Sequence, residues 1–204
     1  IADILERNLA HTFPNGDSRI AVHRLALSDQ EGQAKLYLPV SRFGNIETSA
    51  SLNPAFREEH SEVISVAVTT LDRHLAGAPP PTGHRLVIKI DVESGEERVL
   101  RGAEATIAAM RPLLAVEILP GTGTGFFAEF MRCHRYTHYP LRGPGRLRRV
   151  WGDWRRRLGL TRPGSFPPER LRAMTQIETS HDFRDHLLLP EELSPEKALG
   201  QEQR

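Results

Sequence analysis

The most regular pattern of apolar and polar positions lies between residues 86 and 118. Leu86 to Ile90 is an apolar run rich in β-branched residues, which predicts a strand buried on both faces. Asp91 and Glu93 follow, and the period then changes to a helical one. Ser94, with Glu97 three residues later, has the form of a capping box, so a helix is expected from about Gly95 to Met110. Its apolar stripe is Val99, Leu100, Ala103, Ile107 and Met110, and Pro112 stops it. Leu113 to Ile118 is a second apolar run, with Glu117 near its end. Strand, helix and strand in this length make a βαβ unit, whose strands run parallel.

The rest of the chain is less regular. Ile1, Ile4, Leu5 and Leu9 follow helical spacing, and Pro14-Asn15-Gly16-Asp17 ends that helix with turn residues. Ile20 to Ser28 reads as a strand that turns through Asp29–Gly32 and returns at Gln33–Leu38 as a hairpin. Residues 39–62 show no sustained period and predict a long loop, a kind of segment that often carries function. Glu62–Thr69 is a strand, and Thr70 is placed to cap a short helix through Leu75. A stiff, proline-bearing connection leads into the central unit. A helix over Phe126–Cys133, a strand over Arg135–Leu141 and a last strand over His186–Pro190 complete the pattern. From Glu191 onward the chain is polar and expected to fray.

A chain of 204 residues with 39% hydrophobic and 26% charged residues has the composition of one soluble globular domain. One cysteine, Cys133, cannot form an internal disulfide and fits a reducing, cytoplasmic setting. No apolar run approaches the ~18 residues that span a bilayer. The chain opens on Ile1 in mid-element, which reads as a fragment or a processed product. The net charge of +1 conceals an asymmetry. Residues 132–172 hold twelve arginines against Asp153 and Glu169, so a basic insert interrupts an acidic body.

Ligands of open α/β sheets bind beyond the carboxyl ends of the strands, which makes Asp91 and Glu93 the first site candidates. Two positions apart, they are expected to point to the same side. Their structural alternative is capping of the following helix. Glu117 closes the next strand at the same edge, either against a substrate or in solvent. Lys89, inside an apolar strand, needs a carboxylate partner. Cys133, His134 and His138 are metal-ligand residue types, but a helix-to-strand change between them should make them diverge, and no metal is expected there. Gly121-Thr122-Gly123-Thr124-Gly125 lacks the lysine and the spacing of a phosphate loop.

Five segments together resemble the FkbM-type family of S-adenosylmethionine-dependent methyltransferases: ALSDQEG (26–32), VTTLDRHL (68–75), IKIDVESGEERVLRGA (88–103), RPLLAVEI (111–118) and HLLLPEE (186–192). The resemblance implies an α/β, Rossmann-like class I methyltransferase fold: a mostly parallel sheet with helices on both faces. It implies a partial methyltransferase domain over residues 1–192, with the Arg-rich insert at 142–172 and a polar tail at 193–204. By the same resemblance, the first two strands and the glycine-rich turn that holds the cofactor's methionine end lie upstream of Ile1. The strand at 86–91 would then expose an apolar edge, and the isolated chain is expected to aggregate. The chain departs from the family pattern at Ser94-Gly95, where the family prefers Gly-Ala, and at Glu97, where it prefers an apolar residue.

The activity so implied is methyl transfer from S-adenosylmethionine to a hydroxyl of a sugar or secondary metabolite. The acceptor is thus a small molecule or glycan. Asp91 and Glu93 would orient the acceptor oxygen and remove its proton, alone or through a metal. Ser28 and Asp29 would lie on the cofactor side, with Glu117, Asn45 and Ser51 on the substrate side. The alternative is a non-catalytic Rossmann-like remnant that binds nucleic acid or an anionic membrane surface through the insert, where Trp151 and Trp154 interleave with arginines. Gly and Pro interrupt any continuous helical face in the insert, which favours a solvated excursion that keeps an acidic body soluble over a binding surface.

Overall fold

The computed structural model describes residues 2–40, 49–81, 83–141 and 184–198. Asn45, the Arg-rich insert and its two tryptophans lie outside the described residues, and so do the expectations placed on them.

The described elements are α1 (Ala2–Thr12), β1 (Ala26–Leu27), β2 (Gly32–Pro39), β3 (His60–Thr69), α2 (Leu71–Gly77) and β4 (Val87–Ile90). They continue with α3 (Glu96–Arg101), α4 (Glu104–Met110), β5 (Leu113–Glu117), α5 (Gly125–His134), β6 (Tyr136–Pro140), β7 (Asp185–Pro190) and a last turn of helix, α6 (Pro195–Ala198). The fold is α/β, but the described strands form two mixed sheets, in the orders β1-β3-β2 and β4-β5-β7-β6. Only β1–β3 and β4–β5 are parallel; β2–β3, β5–β7 and β6–β7 are antiparallel.

The βαβ unit is present as the pattern predicts, with β4 and β5 parallel in the register Val87↔Leu113 to Ile90↔Val116. Alternation along β5 sets the packing. Leu114 and Val116 face the main core with Leu100, Ile107, Phe127 and Leu188. Leu113 faces the opposite side, in a smaller cluster with Leu187, Leu189 and Leu193. Helices α3, α4 and α5 cover the main core face, while the second face meets Leu193 and Ala198 at the chain's end. The tail therefore does not fray at Glu191. Leu193 is buried, and Glu191 and Glu192 form ion pairs with Arg135 and Arg111.

Four further local expectations need correction. The strand at 86–90 is not buried on both faces. Among the described strands β4 pairs only with β5, and Val87 is 62% exposed. The expected hairpin of residues 20–28 with 33–38 does not form: β2 pairs with β3 in a long antiparallel ladder, and only Ala26–Leu27 joins the sheet, parallel to β3. The turn at 28–31 thus sends β2 to the far side of β3 rather than back along β1.

The expected 95–110 helix breaks at Gly102–Ala103 into α3 and α4. Two distant residues cause this. A β-carbon on Gly102 would stand 2.0 Å from the Ser28 carbonyl oxygen, so the chain passes Ser28 at a distance only glycine permits. Asp72 then caps the new helix, its carboxylate accepting from the Ala105 and Thr106 N–H groups at 2.9 and 2.7 Å. Finally, Ser94 is not the cap of α3. That place falls to Gly95, and Glu97 instead pairs with Arg101 one turn on.

Candidate active site

Because β4 and β5 run parallel in register to Ile90↔Val116, the residues that come next, Asp91 and Glu117, emerge side by side. Glu93 joins them, and ligand oxygens of the three carboxylates lie within 4.8 Å of one another. Their surroundings treat them differently. The Lys89 ammonium forms an ion pair with Asp91, as expected for a lysine in an apolar strand. That bond holds the Asp91 carboxyl below its usual range, with a further lowering from the hydrogen bond to Glu117. Glu117 moves the other way, up to about 7. Partial burial is the largest cause, followed by the hydrogen bond to Asp91 and the negative charges of Asp91, Glu93 and Asp185. Asp185 stands directly opposite Glu117 on β7.

Two carboxylates in hydrogen-bond contact resist holding two negative charges. Below about pH 7 the pair therefore keeps one proton, carried on Glu117 beside an ionised Asp91, and it loses that proton as pH rises through about 7. Such a pair can give or accept a proton at physiological pH. Three carboxylate oxygens this close also present the hard ligands that a divalent cation of the magnesium or calcium type prefers.

The loop that delivers Glu93 is strained. Glu93 and Ser94 both have left-handed backbones, with φ of 53° and 73°. For non-glycine residues this costs about 1–2 kcal/mol each. Hydrogen bonds from three directions hold the turn. The Ser51 hydroxyl donates to the Glu93 carbonyl at 2.6 Å, and the Asn53 amide donates to the Ser94 hydroxyl at 3.1 Å. The carboxylate of Glu96, only 2% exposed, accepts from the N–H groups of Val92 and Ser94. Burial pushes the Glu96 carboxyl up against these bonds.

Asp91 opens on a cavity of about 470 Å³ between β1 and β4. Leu25, Leu27, Leu36, Leu52, Ile88, Ile90 and Val99 give it apolar walls. Ser28, Asn53, Ser94, Lys89, Asp91 and Arg98 supply its polar groups. The volume falls in the range of small-molecule sites.

The structure sorts the sequence-predicted residues. Asp91, Glu93 and Glu117 are brought together. Ser28 is buried on the cavity wall, with its hydroxyl donating to Asp29 at 3.0 Å, while Asp29 is exposed beside it. Ser51 does not line the cavity. It pairs through its backbone with Tyr37 and holds the Glu93 turn from behind. Cys133, His134 and His138 diverge as expected: the thiol bonds to Glu129, the His134 ring packs on Phe130, and His138 hydrogen-bonds to buried His186 at 2.7 Å.

Sequence reasoning missed Asn53, Glu96 and Arg98. Asn53 sits in a loop without periodicity. Glu96 and Glu97 are adjacent acids, and only the packing shows that the first is buried and the second exposed. Arg98 shares the helix with them and looks like an ordinary surface charge.

A family model described as a methyltransferase FkbM domain matches residues 7–138, a span that contains the three clustered acids and every residue lining the cavity. No curated protein matches the chain, and no solved structure does.

Proposed function

Since the chain belongs to the FkbM methyltransferase family, we propose that it moves the methyl group of S-adenosylmethionine to a hydroxyl oxygen of a small-molecule or glycan acceptor, a sugar or a secondary metabolite. The observation that carries this reading is the hydrogen-bonded Asp91–Glu117 pair, whose Asp91 lines a cavity of small-molecule size. The residues present suit the cofactor. Apolar walls accept a flat heterocycle, and an ionised Asp91 favours a sulfonium cation nearby. Ser28, on the cavity wall, and Asp29, exposed beside it, are the cofactor-side contacts in this reading. When bound, S-adenosylmethionine supplies an electrophilic methyl carbon.

The chain's own residues supply the rest. Asp91, kept ionised by Lys89, accepts a hydrogen bond from the acceptor hydroxyl and fixes its direction. With the methyl donor bound, the pair in its proton-free form, populated as pH reaches about 7, would take the proton released by the acceptor hydroxyl and carry it on Glu117. A group titrating near 7 can do this at neutral pH and then return the proton to water. Glu93, on its strained turn, adds the negative charge that keeps the pair's proton affinity high. One feature favours a Rossmann-like class I arrangement: the acids cluster at the carboxyl ends of two parallel strands, Glu117 as the last residue of β5 and Asp91 just past β4. A cytoplasmic setting accords with the single exposed thiol, and among the described residues no helix is long and apolar enough to cross a membrane.

The test uses protein expressed from its complete reading frame, methyl-deuterated cofactor and pools of hydroxylated acceptors, read by mass spectrometry. Wild type should label an acceptor. Asp91→Asn should abolish labelling with an unchanged circular dichroism spectrum, and undiminished labelling would remove Asp91 from the mechanism.

A further inference from the structure

Arg98, on α3, stands where the cavity meets a second, shallower groove of about 270 Å³ that runs over β2 and β3. The two cations on the cavity wall are in opposite states. Lys89 is neutralised by Asp91. Arg98 is exposed, and among the described residues its guanidinium has neither a hydrogen bond nor an ion pair. The nearby acids do not serve it: Glu97 is taken by Arg101, Asp29 by the Ser28 hydroxyl, and Glu31 lies 3.9 Å from Arg73. Lys35 lines the same groove, also without a partner among the described residues.

A guanidinium presents a planar fork of donors that matches a carboxylate or a phosphate in two-point contact. Held at the mouth of a mainly apolar cavity, with a second cation along the groove, it suits a ligand that leaves a charged end outside. We propose that Arg98, with Lys35, anchors an anionic group, phosphate or carboxylate, on the acceptor whose hydroxyl meets Asp91. The acceptor class is then a hydroxylated compound bearing a negative charge. That this anion belongs to the acceptor rests on the methyl-transfer reading; the anion site itself does not.

The experiment titrates the isotope-labelled full chain with inorganic phosphate and follows the Arg98 side-chain N–H and the Lys35 amide by NMR. Saturable shifts at both are expected, weakened about ten- to a hundredfold in Arg98→Gln, as loss of a charge-assisted contact implies. Absence of saturable shifts, or equal affinity in Arg98→Gln, overturns the site. S-adenosylmethionine is then added. Retention of the phosphate shifts supports an acceptor anchor, whereas displacement overturns that assignment and gives Arg98 to the cofactor's carboxylate. Calorimetry with S-adenosylmethionine alone separates the two levels. Cofactor binding without phosphate binding removes the anchor only, and phosphate binding without cofactor binding leaves the anchor and removes the methyl-transfer reading.

Discussion

Replacing Glu117 by Gln should change how stability depends on pH more than it changes stability itself. In the folded chain the Glu117 carboxyl titrates at about 7 instead of its ordinary 4.5. The folded state therefore binds a proton that the unfolded state has released. The contribution is fully present below the unfolded pKa and is lost as pH rises through about 7. Each unit of displacement corresponds to about 1.4 kcal/mol, which sets a ceiling of about 3 kcal/mol. The side chain still meets solvent, which screens its neighbours, so about 1–3 kcal/mol is expected. Glutamine is neutral throughout and keeps the shape. Urea denaturation of wild type and Glu117→Gln at pH 5 and at pH 8 isolates the Glu117 contribution, because Glu96 and the histidines are common to both. Wild type should lose about 1–3 kcal/mol relative to the variant between the two pH values. Parallel pH profiles, agreeing within about 0.5 kcal/mol, would show that Glu117 is not held protonated and would refute the one-proton pair.

Two further substitutions test the scaffold behind the site. Gly102→Ala should destabilise the fold by about 1–3 kcal/mol despite an ordinary helical change, because its new methyl meets the Ser28 carbonyl rather than a flexible side chain. Thermal melts would show this, and an unchanged midpoint would mean that Ser28 does not approach α3–α4 so closely. Asp72→Ala should cost about 1–2 kcal/mol through loss of the α4 cap, with hydrogen exchange accelerated first at Ala105 and Thr106. Unchanged protection at those two amides would rule out the long-range cap.

What could be read from the sequence depended on how local its cause was. The βαβ unit was legible because apolar runs, a helical stripe and Pro112 lie within one stretch of chain. That Lys89 needs a carboxylate partner was legible too, and the structure supplies Asp91 two positions on. The break between α3 and α4 was not, since it is dictated by Ser28 and Asp72, which lie far back in the sequence. The β2–β3 pairing was missed for the same reason: a short turn suggested the adjacent partner, while the long ladder with β3 won. At the site, residue types pointed to Asp91, Glu93 and Glu117, but not to their division of labour. That division depends on Lys89 holding Asp91 low, on burial raising Glu117 and on Ser51 bracing the turn. Nor could Ser94, read as a helix cap, be recognised as half of a strained left-handed turn that Glu96 stabilises from within the fold.

Central to the proposed chemistry is that the methyl donor binds in the cavity between β1 and β4, with Asp91 at its wall. The most direct measurement is a titration of the protein, expressed from its complete reading frame, with S-adenosylmethionine, followed through backbone amide shifts. Saturable shifts centred on Ser28, Asp29, Asp91 and Val92 are the expected result. No saturable binding, or shifts confined to residues away from this cavity, would contradict it.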